Sequence, residues 1–342
     1  MSEIDASLSR AISFLRRRRR EDGLWYEFRT LAGTSSEWVS AFIVWILSEC
    51  EDCDWVQTTV DSLLGRQRSD GGWGYGPAVP PDCDSTAWAI LALSAGQSLR
   101  HSALLRGARF VSAHQGPNGG FCTYRADSGI ADFTGLRKPD ALTGWLSEQV
   151  CVSGVAIQAL LEARALACEH TLADGLAYLE RARDTTSGTW SSYWWTGTAY
   201  ASYHSLKSLS NGHSLAPEML GSACRRLRYQ QQADGAWSGN GDTSEPFETA
   251  FATLTLLLEP NAHNLAAARH GLHWLLAQQQ NDGSWVSCPM LRIPPPRVSD
   301  AASVEFRSDR QGARALLADR GRAFTTAAAV RALAVSRRMI DA

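Results

Sequence analysis

The sequence predicts an all-α protein built as a closed double ring of six helix pairs. Three observations carry this. A glycine–aromatic phrase recurs six times, ending at Trp25, Trp73, Phe121, Trp190, Trp237 and Trp285. The intervals are 48, 48, 69, 47 and 48 residues, and a fixed period of that size means one supersecondary unit repeated side by side. Within each interval an amphipathic helical stretch alternates with one that is apolar on nearly every side.

The elements follow in order within each unit. An outer helix comes first, with apolar residues at helical spacing among charges, as in Leu8, Ile12 and Leu15, or Leu265, Leu272, Leu275 and Leu276. The phrase follows, as in Gln67-Arg68-Ser69-Asp70-Gly71-Gly72-Trp73 or Gln279-Gln280-Asn281-Asp282-Gly283-Ser284-Trp285. Its Gly is expected to close the last helical turn in the left-handed conformation, with the Trp folding back over the join. An inner helix completes the unit, as in 87–93, 155–161, 250–258 and 327–334. The whole chain, 1–342, reads as one such domain with long insertions at about 122–148 and 286–324.

Composition removes several classes of function. Thirty-three Lys and Arg against 35 Asp and Glu give a net charge of -2, which offers nothing to a phosphate polymer, so nucleic acid is not an expected partner. No stretch reaches the roughly 18 consecutive apolar residues of a membrane span, and residues 1–10 lack the apolar centre of a secretion signal, so a cytoplasmic location is expected. Five consecutive arginines at 16–20 read as a solvated helix face, with peripheral contact to an anionic membrane as the sharper alternative. The eight Cys are scattered, and the one C-x-x-C, Cys50 and Cys53, has no second pair to complete a zinc site. They read as buried thiols in a reducing compartment. Neither a G-x-x-x-x-G-K-S/T phosphate loop nor an H-E-x-x-H is present, and no D-D-x-x-D cluster offers magnesium to ionise a diphosphate.

Aligning the inner-helix starts with one another places Ser36, Thr86, Ser153, Thr198, Thr249 and Thr326 in one column. A hydroxyl at every helix start is expected to cap free backbone N–H groups. Two positions earlier stand Thr34, Asp84, Cys151, Thr196, Phe247 and Phe324. One unit alone carries an acid there, and Asp82 stands two residues before it. Asp84 is therefore the foremost candidate for chemistry.

The run Asp82-Cys83-Asp84-Ser85-Thr86-Ala87-Trp88 resembles the D-x-D-D-T-A motif of class II terpene cyclases of the squalene-hopene cyclase type, and most closely its D-x-D-T-T variant. Asp84-Ser85-Thr86-Ala87 also resembles the D-C-T-A core of oxidosqualene cyclases. The glycine–Trp phrases look like the QW repeats of the same superfamily, so the resemblance spans the chain. It implies an (α/α)6 barrel in which Asp84 protonates an alkene or epoxide. The chain departs from the pattern at Ser85, where many members have Asp, and in having one barrel where most have two.

The chemistry also stands on the residues. Protonating a carbon–carbon double bond requires a carboxylic acid that stays protonated, shielded from water and pressed against an apolar chain. The dipole of a helix start favours the charged form, whereas burial and a second carboxyl nearby favour the neutral one. Asp82 is expected to be the electrostatic and hydrogen-bonding partner of Asp84. Aromatic faces can stabilise the resulting cation without capturing it, and Trp38, Trp88, Tyr200, Tyr203, Phe247, Phe251 and Phe324 lie at or near inner-helix starts. His204 on the fourth inner helix reads as a core residue. The two insertions leave from the end of the ring that bears Asp84, from units opposite each other, and are expected to cover the mouth.

Arg125, Arg137 and Lys138 in one insertion, with Arg292 and Arg297 in the other, would suit a diphosphate at the rim. This favours a linear prenyl diphosphate of about fifteen to twenty carbons over a headless triterpene. No cofactor is required, though Mg2+ could accompany a diphosphate. Two alternatives stand beside cyclisation: a non-catalytic prenyl-binding barrel, and an enzyme similar to the protein prenyltransferase β subunits, whose zinc site would need a D-x-C phrase that is missing here.

Overall fold

The computed structural model describes residues 2–48, 50, 54–94, 101–138, 140–163, 169–239 and 241–340. Cys53, half of the C-x-x-C, lies outside them. Six outer helices precede six inner ones in pairs: α1 (Glu3–Arg18) and α2 (Glu37–Leu47), α3 (Gln57–Leu64) and α4 (Cys83–Ser94), α5 (His101–Ser112) and, after the short α6 (Ile130–Thr134), α7 (Val150–Glu162). Then come α8 (Glu169–Arg181) and α9 (Ala199–Asn211), α10 (Pro217–Gln230) and α11 (Pro246–Leu256), α12 (Ala262–Gln278) and α13 (Ala323–Ile340). Three two-stranded ribbons lie between helices: β1 (Glu27–Thr30) with β2 (Gly33–Ser35), β3 (Trp73–Gly74) with β4 (Pro81–Asp82), and β5 (Leu291–Ile293) with β6 (Ala315–Leu317).

The inner helices pack in the cyclic order α2, α4, α7, α9, α11, α13, with α13 returning to α2. All eleven residues of α2 and of α11 are buried, as the all-round apolar pattern requires. Outer helices bury one stripe only, for example Leu8, Ala11 and Leu15 of α1. Among the described residues no helix is long and apolar enough to cross a membrane. The arginine run is engaged piecemeal: Arg16 and Arg19 lie over Trp55, Arg20 over Tyr26, and Arg17 donates to the Asp282 carbonyl.

The phrases act as fasteners. Each indole N–H donates to a carbonyl near the end of its own outer helix, Trp25 to Leu15, Trp73 to Leu63, Trp190 to Leu179, Trp237 to Leu227 and Trp285 to Leu275, at 2.6–2.8 Å. The glutamines bridge sideways. Gln67, Gln115, Gln231 and Gln279 each donate to the glycine of the phrase and to the next outer helix, at Ala103, Thr171, Ala267 and Ser7. The last of these links unit six to unit one.

Two expectations change here. The phrase glycine does not cap the outer helix, because α3 ends at Leu64 and α10 at Gln230, several residues short of it. Its role is close approach: Gly71 and Gly235 hold φ of 95° and 94°, and a Cβ would sit 2.7 and 2.9 Å from the carbonyl oxygens of Arg106 and His270. The hydroxyl column is not a set of helix caps either. Each hydroxyl accepts from the backbone N–H of the phrase aromatic, and the set is Ser40, Thr86, Ser153, Ser202, Thr249 and Thr326. Ser36 and Thr198 make no capping bond; in these two units the alignment was one helical turn early.

Candidate active site

The corrected register defines a layer around the barrel axis, two residues before each hydroxyl: Trp38, Asp84, Cys151, Tyr200, Phe247 and Phe324. The acid thus sits in a ring that is otherwise mostly aromatic. One turn deeper, Phe42, Trp88, His204 and Phe251 form a second layer, with ring centroids 5.0–5.5 Å apart in sequence around it. At the base, the Arg331 guanidinium lies 3.5 Å from the Trp45 ring centroid and bonds the Tyr203 hydroxyl.

Asp84 is half-buried at the first turn of α4. Its Oδ2 accepts from the Trp38 indole N–H at 2.9 Å. Burial, and then the charge of Asp82, push its carboxyl well above the usual range, while the Trp38 bond opposes them. Asp82 lies at the end of β4, 4% exposed, where Oδ1 accepts from the Ser85 N–H at 2.7 Å and Oδ2 from the Ser85 hydroxyl at 2.6 Å. Burial raises it to about 7 against those bonds. The two carboxyls therefore act on each other through space, and the hydrogen bonds expected between them go to Ser85 and Trp38 instead. Ser85, which departs from the cyclase motif, is what orients Asp82.

Above Asp84 opens a cavity of about 420 Å3, within the range of small-molecule sites. Its lining is apolar apart from Asp82, Asp84 and a few hydroxyls. The first insertion contributes Tyr124, Ile130, Phe133 and Trp145, and the second Leu291, Ile293, Pro296, Gly312 and Ala313. The insertions meet across the mouth: the Gly144 N–H donates to the Pro296 carbonyl at 2.8 Å and the Trp145 indole to the Pro294 carbonyl at 3.1 Å.

Of the seven aromatic candidates, Trp38 lines the cavity. Trp88, Tyr200, Tyr203, Phe247, Phe251 and Phe324 converge on the axis but are buried beneath it, packed on one another. The reason is Trp195, which enters the ring from the loop before α9 and occupies its centre. Tyr75, Tyr124, Trp145, Trp194 and Trp195 line the cavity without having stood out in the sequence. Four of them, Tyr124, Trp145, Trp194 and Trp195, belong to loops outside the repeat grammar, and the pair Trp194-Trp195, soon after Trp190, alone offered a signal. His204 is a core residue: it is fully buried, its Nδ1 lies 3.0 Å from the Gln158 amide, and burial holds it well below the usual imidazole range.

The five cations of the two insertions have different settings. Arg125 forms paired bonds with Asp127 at 2.9 and 2.7 Å, Arg137 pairs with Asp132 at 3.1 Å, and Lys138 and Arg297 are exposed. Arg292 points inward, stacked on Phe306 and donating to the Ser192 carbonyl. Other cations flank the lining segments. Arg29 precedes Thr30, Leu31 and Ala32, and Arg310 and Arg314 bracket Gly312 and Ala313; all three are exposed. Arg314 holds φ of 70°, a costly conformation for a residue with a Cβ, fixed by backbone bonds to Ile293 and Arg307. Among the described residues no group of three or more His, Cys, Asp or Glu is placed to hold a metal ion.

The family model described as squalene-hopene cyclase C-terminal domain matches residues 1–129 and 75–290. A drimenyl diphosphate synthase from Streptantibioticus cattleyicolor is 27% identical over 256 residues, 71% of this chain and 44% of the relative. A lanosterol synthase from Homo sapiens is 30% identical over 132 residues, 34% of this chain and 18% of the relative. The chain thus spans less than half the length of these curated relatives. A type II terpene cyclase from Scytonema, without ligand, superposes with a TM-score of 0.86 at 25% identity, covering 99% of this chain and 100% of the other. A variant of that cyclase in complex with geranylgeranyl dihydroxybenzoate as substrate gives 0.85, covering 98% of each.

Proposed function

The chain belongs to the squalene-hopene cyclase C-terminal domain family, and we propose that it is a class II cyclase that closes rings in a linear isoprenoid by protonating a double bond. The observation that carries this reading is Asp84, a carboxyl held well above its usual range beneath an apolar cavity of about 420 Å3. The proton on Asp84 passes to an alkene carbon and the π pair forms the new C–H bond. The cation left on the neighbouring carbon is attacked by the next double bond, which forms the ring bond. The last cation is discharged by losing a proton or capturing water. The indole face of Trp38, beside the acid, stabilises the first cation without bonding to it. Burial, and then the Asp82 carboxyl beside it, keep the proton on Asp84 until an alkene is pressed against it. The two insertions act as lids that keep water from the cation.

In this reading the substrate is a prenyl diphosphate with its tail toward Asp84 and its head at the mouth. The drimenyl diphosphate synthase relative supports the head group, as do the three exposed arginines around the lining segments. Magnesium would arrive with the diphosphate. The reaction takes place in the barrel described, and no cofactor enters any step.

Incubating the purified protein with farnesyl and geranylgeranyl diphosphate, beside Asp84→Asn, tests the reading. A cyclic product from the wild type, absent from the variant, is expected. Equal conversion by the two, or a product whose formation needs ionisation of the diphosphate, would overturn it.

A further inference from the structure

Trp195 belongs to no helix and to no repeat phrase. It is carried by the loop between Trp190 and α9, where its N–H donates to the Ser192 hydroxyl at 3.1 Å and its backbone bridges to Leu291 of β5. The neighbouring Thr196 N–H donates to the Met290 carbonyl, so both sides of the residue are tied to the second insertion. Its indole is 1% exposed. From this anchored position it reaches the axis of the barrel at the level of the acid. Its ring centroid lies 5.7 Å from Trp38, 4.8 Å from Tyr200, 5.0 Å from Phe247 and 5.4 Å from Phe324, which are four of the five other residues in the layer of Asp84.

The cavity ends at this indole. Trp38, Asp84 and Trp195 line it, whereas Tyr200, Phe247 and Phe324, on the far faces of Trp195, do not. Beneath, the Tyr200 hydroxyl faces the side chains of Trp88 and Trp195, and His204 packs on both Tyr200 and Trp88 with ring centroids 4.5 and 5.4 Å away. The region under the floor is filled ring against ring, and the indole of Trp195 closes it off from the cavity.

We infer that Trp195 is the residue that sets isoprenoid chain length, an end stop that halts the hydrocarbon tail at the level of Asp84. The inference rests on the cyclisation reading for its consequence, since a tail stopped there offers its terminal double bond to the acid. Its physical content is separable, because a floor limits length whether or not the bound chain reacts. Replacing the indole by a smaller side chain removes the floor and leaves its own volume, between Trp38, Tyr200, Phe247 and Phe324, for a longer tail to enter.

The experiment measures binding of farnesol, geranylgeraniol and geranylfarnesol by titration calorimetry in the Asp84→Asn background, with Trp195 and with Trp195→Ala. The expected result is a shift of about tenfold or more in relative affinity toward the longest chain. Trp195→Phe, which keeps the ring packing against Phe247 and Phe324, should shift it less, and it serves as the second variant if the alanine protein fails to fold. An unchanged order of affinities in both variants, an equal loss for all three alcohols, or no binding of any alcohol would overturn the inference. Failure of the cyclase reading looks different: length selection would move with Trp195 while the protein with Asp84 intact converts none of the corresponding diphosphates.

Discussion

The Trp38 indole N–H donates to Oδ2 of Asp84 at 2.9 Å, from α2 to the neighbouring α4. This bond fixes the plane of the carboxyl and leaves Oδ1 to carry the acidic proton, because a neutral carboxyl donates from one oxygen and accepts at the other. Asp84→Asn keeps an oxygen for Trp38 and removes the proton. Turnover should fall by about 10²–10⁴-fold or more, the usual contribution of a general acid, with the unfolding midpoint close to that of the wild type. Steady-state kinetics and circular dichroism check the two halves.

Trp38→Phe separates orientation from acidity. The lost N–H favoured the ionised form, so Asp84 should become a weaker acid, and kcat should drop by roughly tenfold while KM changes little. A variant with unchanged kcat would show that the bond does not prepare the acid.

The seam between the insertions can be loosened at one atom. Gly144 packs directly against the Val298 carbonyl, in the space a Cβ would occupy, while Tyr193 donates to that carbonyl at 2.7 Å. Gly144→Ala should part the two segments and leave the helical ring intact. Product analysis is expected to show a larger share of hydroxylated isoprenoid, as water reaches the cation before a proton is lost.

Head-group reading divides the arginines into two groups. Arg310→Ala with Arg314→Ala should raise KM for a prenyl diphosphate by about tenfold, and for the matching alcohol hardly at all. Arg125→Ala should move neither, since Arg125 is committed to Asp127 by paired bonds. Equal effects on diphosphate and alcohol would remove the anion from the reading.

Glu248 supplies a pH test of the scaffold. Its Oε1 accepts from the Thr198 and Ala199 N–H groups at the start of α9, at 3.1 and 2.9 Å, and burial pushes the carboxyl up to about 8. Between pH 4.5 and 8 the unfolded chain gives up this proton and the folded chain keeps it. Stability contributed by the protonated group is complete below that window and is lost as pH rises through it, by an amount on the order of a few kcal/mol. Glu248→Gln should therefore show a flatter fall in denaturant midpoint across the window. Asp82 and Glu27, each raised to about 7, retain their own share of the slope in both proteins.

The ring of helices and the acid were legible because both follow from repetition: a period near 48 sets the units, and a single acid stands out against equivalent positions. The alignment slipped where repetition was ambiguous. Ser36 and Ser40, like Thr198 and Ser202, are four residues apart, so either hydroxyl of a pair fits a helical register, and only the bond from the phrase N–H selects the later one. The cavity wall was harder to foresee because it is made by long-range closure. Trp145 meets Pro294 across 149 residues, and the aromatic run ending at Trp195 does not by itself say which of its rings turns to the axis. The setting of the cations was hidden for a different reason: the sequence does not show that Arg125 and Arg137 each pair with a nearby aspartate.

Closure of the ring has a thermodynamic corollary. Open arrays of repeats possess end units with one neighbour, from which they fray one unit at a time. Here Gln279 of the last phrase donates to the Ser7 carbonyl of the first helix, and α13 packs on both α1 and α2, so every unit has two flanks. Melting any one of them costs two interfaces at once. Denaturation should accordingly proceed as a single concerted transition in which probes placed in different units report the same midpoint, and a substitution that cuts the seam, such as Gln279→Ala, should lower the cooperativity of the whole barrel and not that of its own unit alone.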